Sequence, residues 1–226
     1  MAELTGLGPE DRVMDLGCGP GQLARAFAPT VRAVLALDPE PEMLRVAQAA
    51  STGVGRITWQ QASSTDLSPA MGRFRLVTMG RSFHWMDRDE TLHRLDALIE
   101  PGGAVALFHD THPPGPDNAW YDGYREVLRR YSGSDNDGAR TRRPDWIRHE
   151  VILLRSAFSH IEEIGVCEHR PVSLEALIER ALSMSSTSRA RLGDQADKMI
   201  AELRATLPTG DLRELIVSQA MLAFRP

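Results

Sequence analysis

Residues 13–21 limit what this chain can fold into more than any other segment. They read Val-Met-Asp-Leu-Gly-Cys-Gly-Pro-Gly: an apolar run that ends in Asp15, followed by glycines at positions 17, 19 and 21. Glycine lets the backbone turn sharply and approach a ligand closely, because no Cβ is in the way. Residues Gln22–Ala28 are predicted to form a helix whose free N–H groups face the same space, which suits a carboxylate or a phosphate. The segment therefore predicts a strand, a ligand-binding loop and a helix.

The composition indicates an ordinary globular α/β chain. Of its 226 residues, 42% are hydrophobic and 25% are charged, and 31 acidic against 26 basic residues give a net charge of −5. Nucleic-acid binding needs a positive field, so this balance argues against a nucleic-acid partner. No apolar stretch approaches the ~20 residues of a membrane span, and the first residues lack the features of a signal peptide. Only two cysteines occur, and they form no metal motif. We therefore expect a cytoplasmic protein.

Alternating apolar and amphipathic segments in the first half predict a parallel sheet with helices on both faces. The predicted strands there are Arg12–Leu16, Ala33–Asp38, Arg56–Gln60, Phe74–Met79 and Ala104–His109. The predicted helices are Gln22–Ala28, Pro41–Ala50 and Arg88–Ile99, the last of which we expect Pro101-Gly102-Gly103 to stop. In the second half, helices are predicted over Asn118–Tyr131, Trp146–Phe158, Leu174–Leu182 and Ser188–Leu207, and strands over Ile161–Val172 and Leu212–Phe224.

The spacing of the glycines separates two kinds of nucleotide-binding loop. A dinucleotide fingerprint, G-x-G-x-x-G, needs its third glycine at the position that Gln22 occupies. Further on, a strand leads through Gly80 to Phe83-His84-Trp85, and Pro101-Gly102-Gly103 precedes the fifth predicted strand. The glycine loop resembles motif I of the class I S-adenosylmethionine (SAM) methyltransferases. The segment with Phe-His-Trp resembles the fourth-strand motif of small-molecule members related to menaquinone and trans-aconitate methyltransferases. The resemblance covers residues 11–110, roughly half of the chain.

This resemblance implies an α/β fold with a Rossmann-like, seven-stranded, mostly parallel sheet in the order 3-2-1-4-5-7-6. Helices flank the sheet, and a helical insert is expected to cap the active site. We expect residues 1–110 to form the SAM-binding core and residues 111–160 to form the insert after the fifth strand. Residues 161–226 are expected to hold the last two strands, with a helical cap over residues 171–210 between them, all within one domain.

The resemblance also implies SAM as the cofactor and S-adenosylhomocysteine (SAH) as the product. Asp15 is expected to order the loop or to meet the amino group of the methionine moiety. Asp38 closes the second strand, where a carboxylate can accept both ribose hydroxyls of a nucleoside; its alternative role is to cap the next helix. Ser63 stands where relatives carry an acidic side chain that reads the adenine amino group, although a hydroxyl is a weaker acceptor. The predicted cofactor-binding residues are Asp15, Gly17, Cys18, Gly19, Pro20, Gly21, Gln22, Asp38, Pro39, Met43, Ser63, Ser64 and Gly80.

Two histidines are the candidate general bases. His84 and His109 are both expected just past the carboxyl ends of strands, where open α/β sheets bind ligands, and imidazole titrates near neutral pH. The alternative for His84 is a structural histidine bonded to the backbone.

Three further predictions concern the substrate and metals. By the same resemblance, Phe83 and Trp85 line the cleft near the transferred methyl group. Arg143, clustered with Arg140 and Arg142, is expected to grip a substrate carboxylate. The segment His109-Asp110-Thr111-His112 lacks a helix that would place both imidazoles on one face, so no metal site is expected.

These residues leave three functions open. The favoured one is a SAM-dependent methyltransferase that acts on O, N or C of a small metabolite. The second is a SAM-binding protein that transfers no methyl group, for example a partner subunit. The third is an NAD-linked oxidoreductase, which Gln22 disfavours because a glycine belongs at that position. We expect a small-molecule substrate, no nucleic-acid or membrane partner, and a monomer or a homodimer.

Overall fold

The computed structural model describes residues 2–133, 144–184, 186–210 and 212–226. The chain divides into two compact units. The first comprises Met1–His109, Ile147–Ile164 and Gln219–Pro226, and the second comprises Asp110–Trp146 and Gly165–Ser218. None of the described helices is both long and apolar enough to cross a bilayer.

The described residues form a sheet of seven strands in the order β3-β2-β1-β4-β5-β7-β6, mostly parallel with one antiparallel hairpin. This confirms the predicted sheet order. The strands are β1 Arg12–Leu16, β2 Ala33–Asp38, β3 Ile57–Gln61, β4 Phe74–Gly80, β5 Ile99–Thr111, β6 His160–Val172 and β7 Leu212–Phe224. The α-helices are α1 Ala2–Thr5, α2 Gln22–Phe27, α3 Pro41–Ala49, α4 Arg88–Asp96, α5 Tyr121–Ser132, α6 His149–Leu154, α7 Leu174–Leu182, α8 Arg189–Leu192 and α9 Gln195–Thr206.

The first unit buries both faces of its sheet. Successive side chains of a strand point to opposite faces, so Val13 and Met14 of β1 belong to different hydrophobic clusters. A strand with apolar residues on both faces reads as a continuous apolar run, which is why β1 and β2 were recognisable from the sequence. In parallel register Asp15 lies opposite Thr78 of β4, and Leu16 lies opposite Leu37 of β2. The central strands therefore end together, at the edge where the glycine loop begins.

The fifth strand differs from its prediction. Helix α4 ends at Asp96 rather than Ile99, and β5 already begins at Ile99. Phe74 pairs with Ile99 whereas Leu76 pairs with Ala104, so the register shifts and the residues between Ile99 and Ala104 bulge out of the ladder. A proline is tolerated at such a bulge. The prediction that Pro101-Gly102-Gly103 stops a helix and precedes the strand is therefore wrong.

The second unit packs α5, α7 and α9 around a core of its own. Its buried residues include Trp120, Tyr124, Leu177, Met199 and Leu203. The single helix predicted over residues 188–207 is two helices, α8 and α9, because Gly193 ends the first of them. Similarly, the helix predicted over residues 146–158 is confined to α6.

Candidate active site

The glycine loop is fastened to the end of strand β2. The N–H groups of Gly17 and Cys18 both donate to the carbonyl oxygen of Leu37, at 2.8 and 2.9 Å. The N–H of Gly19 donates to Asp38 Oδ2 at 2.8 Å, and the N–H of Gly21 donates back to the Cys18 carbonyl at 2.9 Å. The loop is thus shaped by bonds within the protein.

Gly19 and Gly21 share a backbone conformation that favours glycine, but they differ in their surroundings. Both have a positive φ, of 52° and 77° respectively, which favours glycine. A Cβ on Gly21 would lie 2.4 Å from the ring of Trp59, a residue of β3, so this ring packs directly on Gly21. A Cβ on Gly19 would meet nothing within 4 Å. The backbone at Gly19 therefore borders open space, where a ligand can approach closely.

Asp15 is a buried carboxylate that holds the start of helix α2. Its side chain is 1% exposed; Oδ2 accepts from the Ala24 N–H at 3.0 Å, and Oδ1 accepts from the Thr78 hydroxyl at 3.0 Å. Burial and, after it, the charge of Asp38 raise the pKa of Asp15 to about 7, against the opposing hydrogen bonds from Thr78 and Ala24. Of the two roles considered for Asp15, these contacts support the ordering of the loop.

Asp38 connects the loop to helix α3. While Oδ2 binds the Gly19 N–H, Oδ1 accepts from the Glu40 N–H at 2.9 Å. Burial raises the pKa of Asp38, and the two backbone donors oppose that shift. Each carboxylate oxygen has two lone-pair directions, so Asp38 retains capacity for further donors. Cys18 beside it is buried, and its pKa is raised by burial and by the charges of Asp15 and Asp38, so its thiol stays protonated.

Ser63 has a structural partner of its own. It caps the short 3-10 helix Ser64–Asp66: the Ser63 N–H and hydroxyl both donate to Asp66 Oδ2, at 2.7 and 2.8 Å. These bonds lower the pKa of Asp66, whose carboxylate is exposed. The hydroxyl of Ser63 is therefore engaged locally in this capping box.

The other predicted cofactor-binding residues lie at strand ends or in the adjoining helices. Gly80 is the last residue of β4, Ser64 opens the 3-10 helix after β3, and Met43 is half-buried in the first turn of α3. Pro20 and Gln22 lie at the junction of the loop and α2, and Pro39 follows β2. All thirteen predicted residues thus belong to the first unit and to segments at the carboxyl ends of β1 to β4.

The segment after β4 forms a 3-10 helix, Phe83–Trp85. His84 is 6% exposed, and its ring lies 4.9 Å from the ring of Trp85, a residue that is 42% exposed. Phe83 is instead part of the hydrophobic core, so it supports the neighbouring residues and is not available to a ligand. His109 is exposed but lies inside β5, which runs on to Thr111, so the prediction that it follows the strand is wrong.

A third histidine, His149, lies in the same unit and was missed by sequence reasoning. It is the first residue of α6, and its ring lies 5.1 Å from the Phe83 ring. Arg88 Nη1 approaches His149 Nδ1 at 3.3 Å and donates to the Ile147 carbonyl. Burial, together with the charges of Arg88, His84 and His109, lowers the pKa of His149 to about 4. No motif marks His149; the fold alone brings it to these residues.

Arg143, Arg140 and Arg142 lie outside the described residues. The substrate role predicted for Arg143 therefore stays a prediction.

Comparison with known proteins agrees with the fold and the loop. Residues 13–103 match the methyltransferase domain family. An uncharacterized methyltransferase of Mycobacterium tuberculosis is 25% identical over 199 residues, which are 87% of this chain and 74% of that protein. The trans-aconitate 2-methyltransferase of Streptomyces avermitilis is 35% identical over 105 residues, 42% of this chain and 38% of that enzyme. The crystal structure of the YcgJ protein from Bacillus subtilis shares the fold, with a TM-score of 0.58, 18% identity, and coverage of 100% of this chain and 97% of that one.

The sheet order, the acid-and-glycine loop and the matched domain together define the class I SAM-dependent methyltransferases. Residues 13–103 of this chain are a methyltransferase domain, and the matched relatives support SAM-dependent methyl transfer.

Proposed function

We propose that this chain binds SAM at the loop after β1 and transfers its methyl group to O, N or C of a small molecule. The observation that carries the proposal is the hydrogen bond of 2.8 Å between the Gly19 N–H and Asp38 Oδ2. It joins the loop expected to take the methionine moiety to the carboxylate expected to take the ribose, next to the open space at Gly19.

The residues present fit SAM. The space beside Gly19 suits a close backbone approach by the methionine moiety. Asp38 has lone pairs left for ribose hydroxyls, which are donors that a carboxylate binds strongly. Because the Ser63 hydroxyl is engaged with Asp66, we propose that adenine is read through the Ser64 N–H, with Met43 and Pro39 beside the ring.

The protein's main task is to position the acceptor. SAM supplies an electrophilic methyl group, and alignment of a nucleophile with the exclusion of water can lower a barrier by about 7–11 kcal/mol. A general base adds a factor of about 10²–10⁴, so it is the smaller contribution. We propose His84 for this role, because it is buried after β4 beside the exposed Trp85 ring, which is proposed to contact the acceptor. His109 is the second candidate.

A small acceptor is supported by charge and by relationship. The net charge of −5 disfavours a polyanionic substrate, and one relative is named for trans-aconitate. If the acceptor carries a carboxylate, we propose that Arg143 binds it. Simultaneous replacement of Arg140, Arg142 and Arg143 by Gln tests this role. Both cysteines, Cys18 and Cys167, are free thiols, which fits the reducing cytoplasm that we propose as the location, for a monomer or homodimer.

Calorimetric titration with SAH tests cofactor binding. The wild type is expected to bind SAH and to give no heat with NADH. Asp38→Asn should weaken SAH binding roughly 10- to 100-fold, the value of one or two charge-assisted hydrogen bonds. Glu42→Gln is the matched control, since Glu42 is exposed on α3 and pairs only with the exposed Arg45 among the contacts that the structure describes. Equal SAH affinity in all three proteins would disprove the assignment of Asp38.

Methyl transfer is tested separately with SAM labelled in its methyl group and a panel of small alcohols, amines and carboxylic acids. Transfer to any of them supports the proposal. His84→Asn should then reduce turnover by about 10²–10⁴ without changing SAH affinity. A protein that binds SAM but transfers its methyl group to no acceptor would favour the non-methylating alternative.

A further inference from the structure

The second unit contains a buried carboxylate that three basic side chains surround. Glu214 of β7 has a fully buried side chain. Arg180 of α7 binds it with both terminal nitrogens, at 2.8 and 2.9 Å, and Arg170 Nε of β6 binds Oε1 at 2.6 Å. His112, just after β5, places Nε2 at 3.0 Å from Oε2. Burial raises the pKa of Glu214, but the bonds from Arg180, Arg170 and His112 outweigh it and bring the pKa to about 2. Glu214 is therefore ionised.

An ionised Glu214 fixes which nitrogen of His112 carries the proton. A carboxylate only accepts hydrogen bonds, so the contact of 3.0 Å requires a proton on Nε2. The competing contact, from Arg180 Nη1 to the same nitrogen, is longer at 3.5 Å. Burial lowers the pKa of His112, against the opposing effects of Glu214 and Asp110, so the ring is neutral at neutral pH. In that tautomer Nδ1 is a bare acceptor.

The described residues offer no donor to His112 Nδ1. Nδ1 is buried and has no hydrogen-bond partner among the residues that the structure describes, and the side chain as a whole is 7% exposed. The nearby Trp120 cannot supply the donor, because its Nε1–H already binds the carbonyls of Asp117 and Arg213. A buried polar atom without a partner costs free energy, so such an atom points to a missing donor.

Two aromatic rings contact the His112 ring. The Tyr121 ring stacks on His112 at 4.2 Å between centroids, and the Trp120 ring meets it edge-on at 5.8 Å. Tyr121 is half-buried, so part of this residue is open to solvent. We propose that His112 Nδ1 is the recognition point of a ligand site in the second unit, and that its ligand is an aromatic ring bearing a hydroxyl group. Glu214 acts on the ligand only through His112, as a positioning residue, and Arg170 and Arg180 hold Glu214 in place.

The test compares two probes of the same shape. Phenol carries the hydroxyl donor, and toluene replaces it with a methyl group. Nitrogen NMR of wild-type protein labelled at histidine should show the Nε2–H tautomer for His112. Phenol should shift the Nδ1 resonance in a saturable way, whereas toluene should leave it in place. The experiment needs neither SAM nor a methyl acceptor, so its outcome is separate from that of the proposed function.

Two substitutions dissect the ring. His112→Gln can still donate to Glu214 but has no acceptor at the position of Nδ1, and it should bind phenol roughly three- to tenfold more weakly, the value of one neutral hydrogen bond. His112→Asn keeps an oxygen near the position of Nδ1 and should bind phenol within a factor of about three of the wild type. If phenol leaves the wild-type Nδ1 resonance unchanged, or binds no better than toluene, an internal water satisfies His112 and the proposal is wrong.

Discussion

Replacing Asp15 by Asn should change how the stability of the protein depends on pH. The pKa of Asp15 is about 7 in the folded protein and 3.8 in a free carboxyl, because the folded chain buries the group. A difference of roughly three pKa units, at ~1.36 kcal/mol each, corresponds to about 4 kcal/mol. The folded state binds this proton more tightly than the unfolded state. Stability is therefore lost as the pH rises from about 4 to about 7.

The Asn side chain cannot ionise, and its oxygen can still accept from the Ala24 N–H. The unfolding free energy of the wild type minus that of Asp15→Asn should thus fall by about 4 kcal/mol between pH 4 and pH 8. Taking the difference removes the titrations that both proteins share. One of these is His149, whose lowered pKa makes the protein more stable as the pH rises from about 4 to 6.5.

Urea denaturation followed by circular dichroism at several pH values measures this difference. Asp89→Asn is the matched control, because Asp89 is an exposed carboxylate in the first turn of α4. If the difference for Asp15→Asn stays level, or rises with pH, then Asp15 is not held in a costly ionised state and the reasoning from burial is refuted.

The packing at Gly21, the burial of Glu214 and the exposure of Trp85 each predict the effect of a substitution. Gly21→Ala should lower the free energy of unfolding, measured by thermal denaturation, by about 1–3 kcal/mol, because its Cβ meets the Trp59 ring. Gly53 has a similar φ but borders open space, so Gly53→Ala measures the loss that comes from the backbone alone. Equal losses in the two variants would contradict the packing argument. Glu214→Ala should lower the unfolding free energy by about 3–5 kcal/mol, because it leaves two arginines with no carboxylate. Glu175→Ala, which breaks the exposed ion pair of Glu175 with Arg204, should lower the unfolding free energy by only about 0–1 kcal/mol. A comparable loss in Glu214→Ala and Glu175→Ala would contradict the role of burial. Trp85→Ala should leave the melting temperature nearly unchanged because the residue is 42% exposed, while it weakens the binding of any acceptor found in the transfer assay. A large fall in melting temperature would assign Trp85 to the core.

The central part of the fold could be predicted because its physical signals are local. β1 and β2 have the predicted bounds, since each is a short apolar run with turn residues at its end. The sheet order came from a resemblance carried by a few motifs. The start of β5 could not be predicted, because Pro and Gly normally end an element, and only pairing with β4 makes the bulge stable.

The site was predictable where its parts lie in one segment or at the ends of neighbouring strands. The bonds of Asp38 to Gly19 and Glu40 join neighbouring strand ends, which the parallel topology brings together. The capping box that occupies Ser63 needed the partner Asp66, which was visible in the sequence as a serine followed three residues later by an acid. His149 and Glu214 had no such signal. A glutamate in a strand is ordinarily expected to face water. Only the contacts with Arg170, Arg180 and His112 explain the burial of Glu214.

The Gly19 and Asp38 bond has a consequence for how quickly this protein can engage a ligand. A loop that is already held in shape loses little conformational freedom when it is occupied, so less of the contact energy is spent on ordering it. Entry should then be a single step limited by diffusion and docking, with no slow rearrangement phase in a stopped-flow trace. Structures with and without a bound ligand should superpose closely from β1 through the first turn of α2.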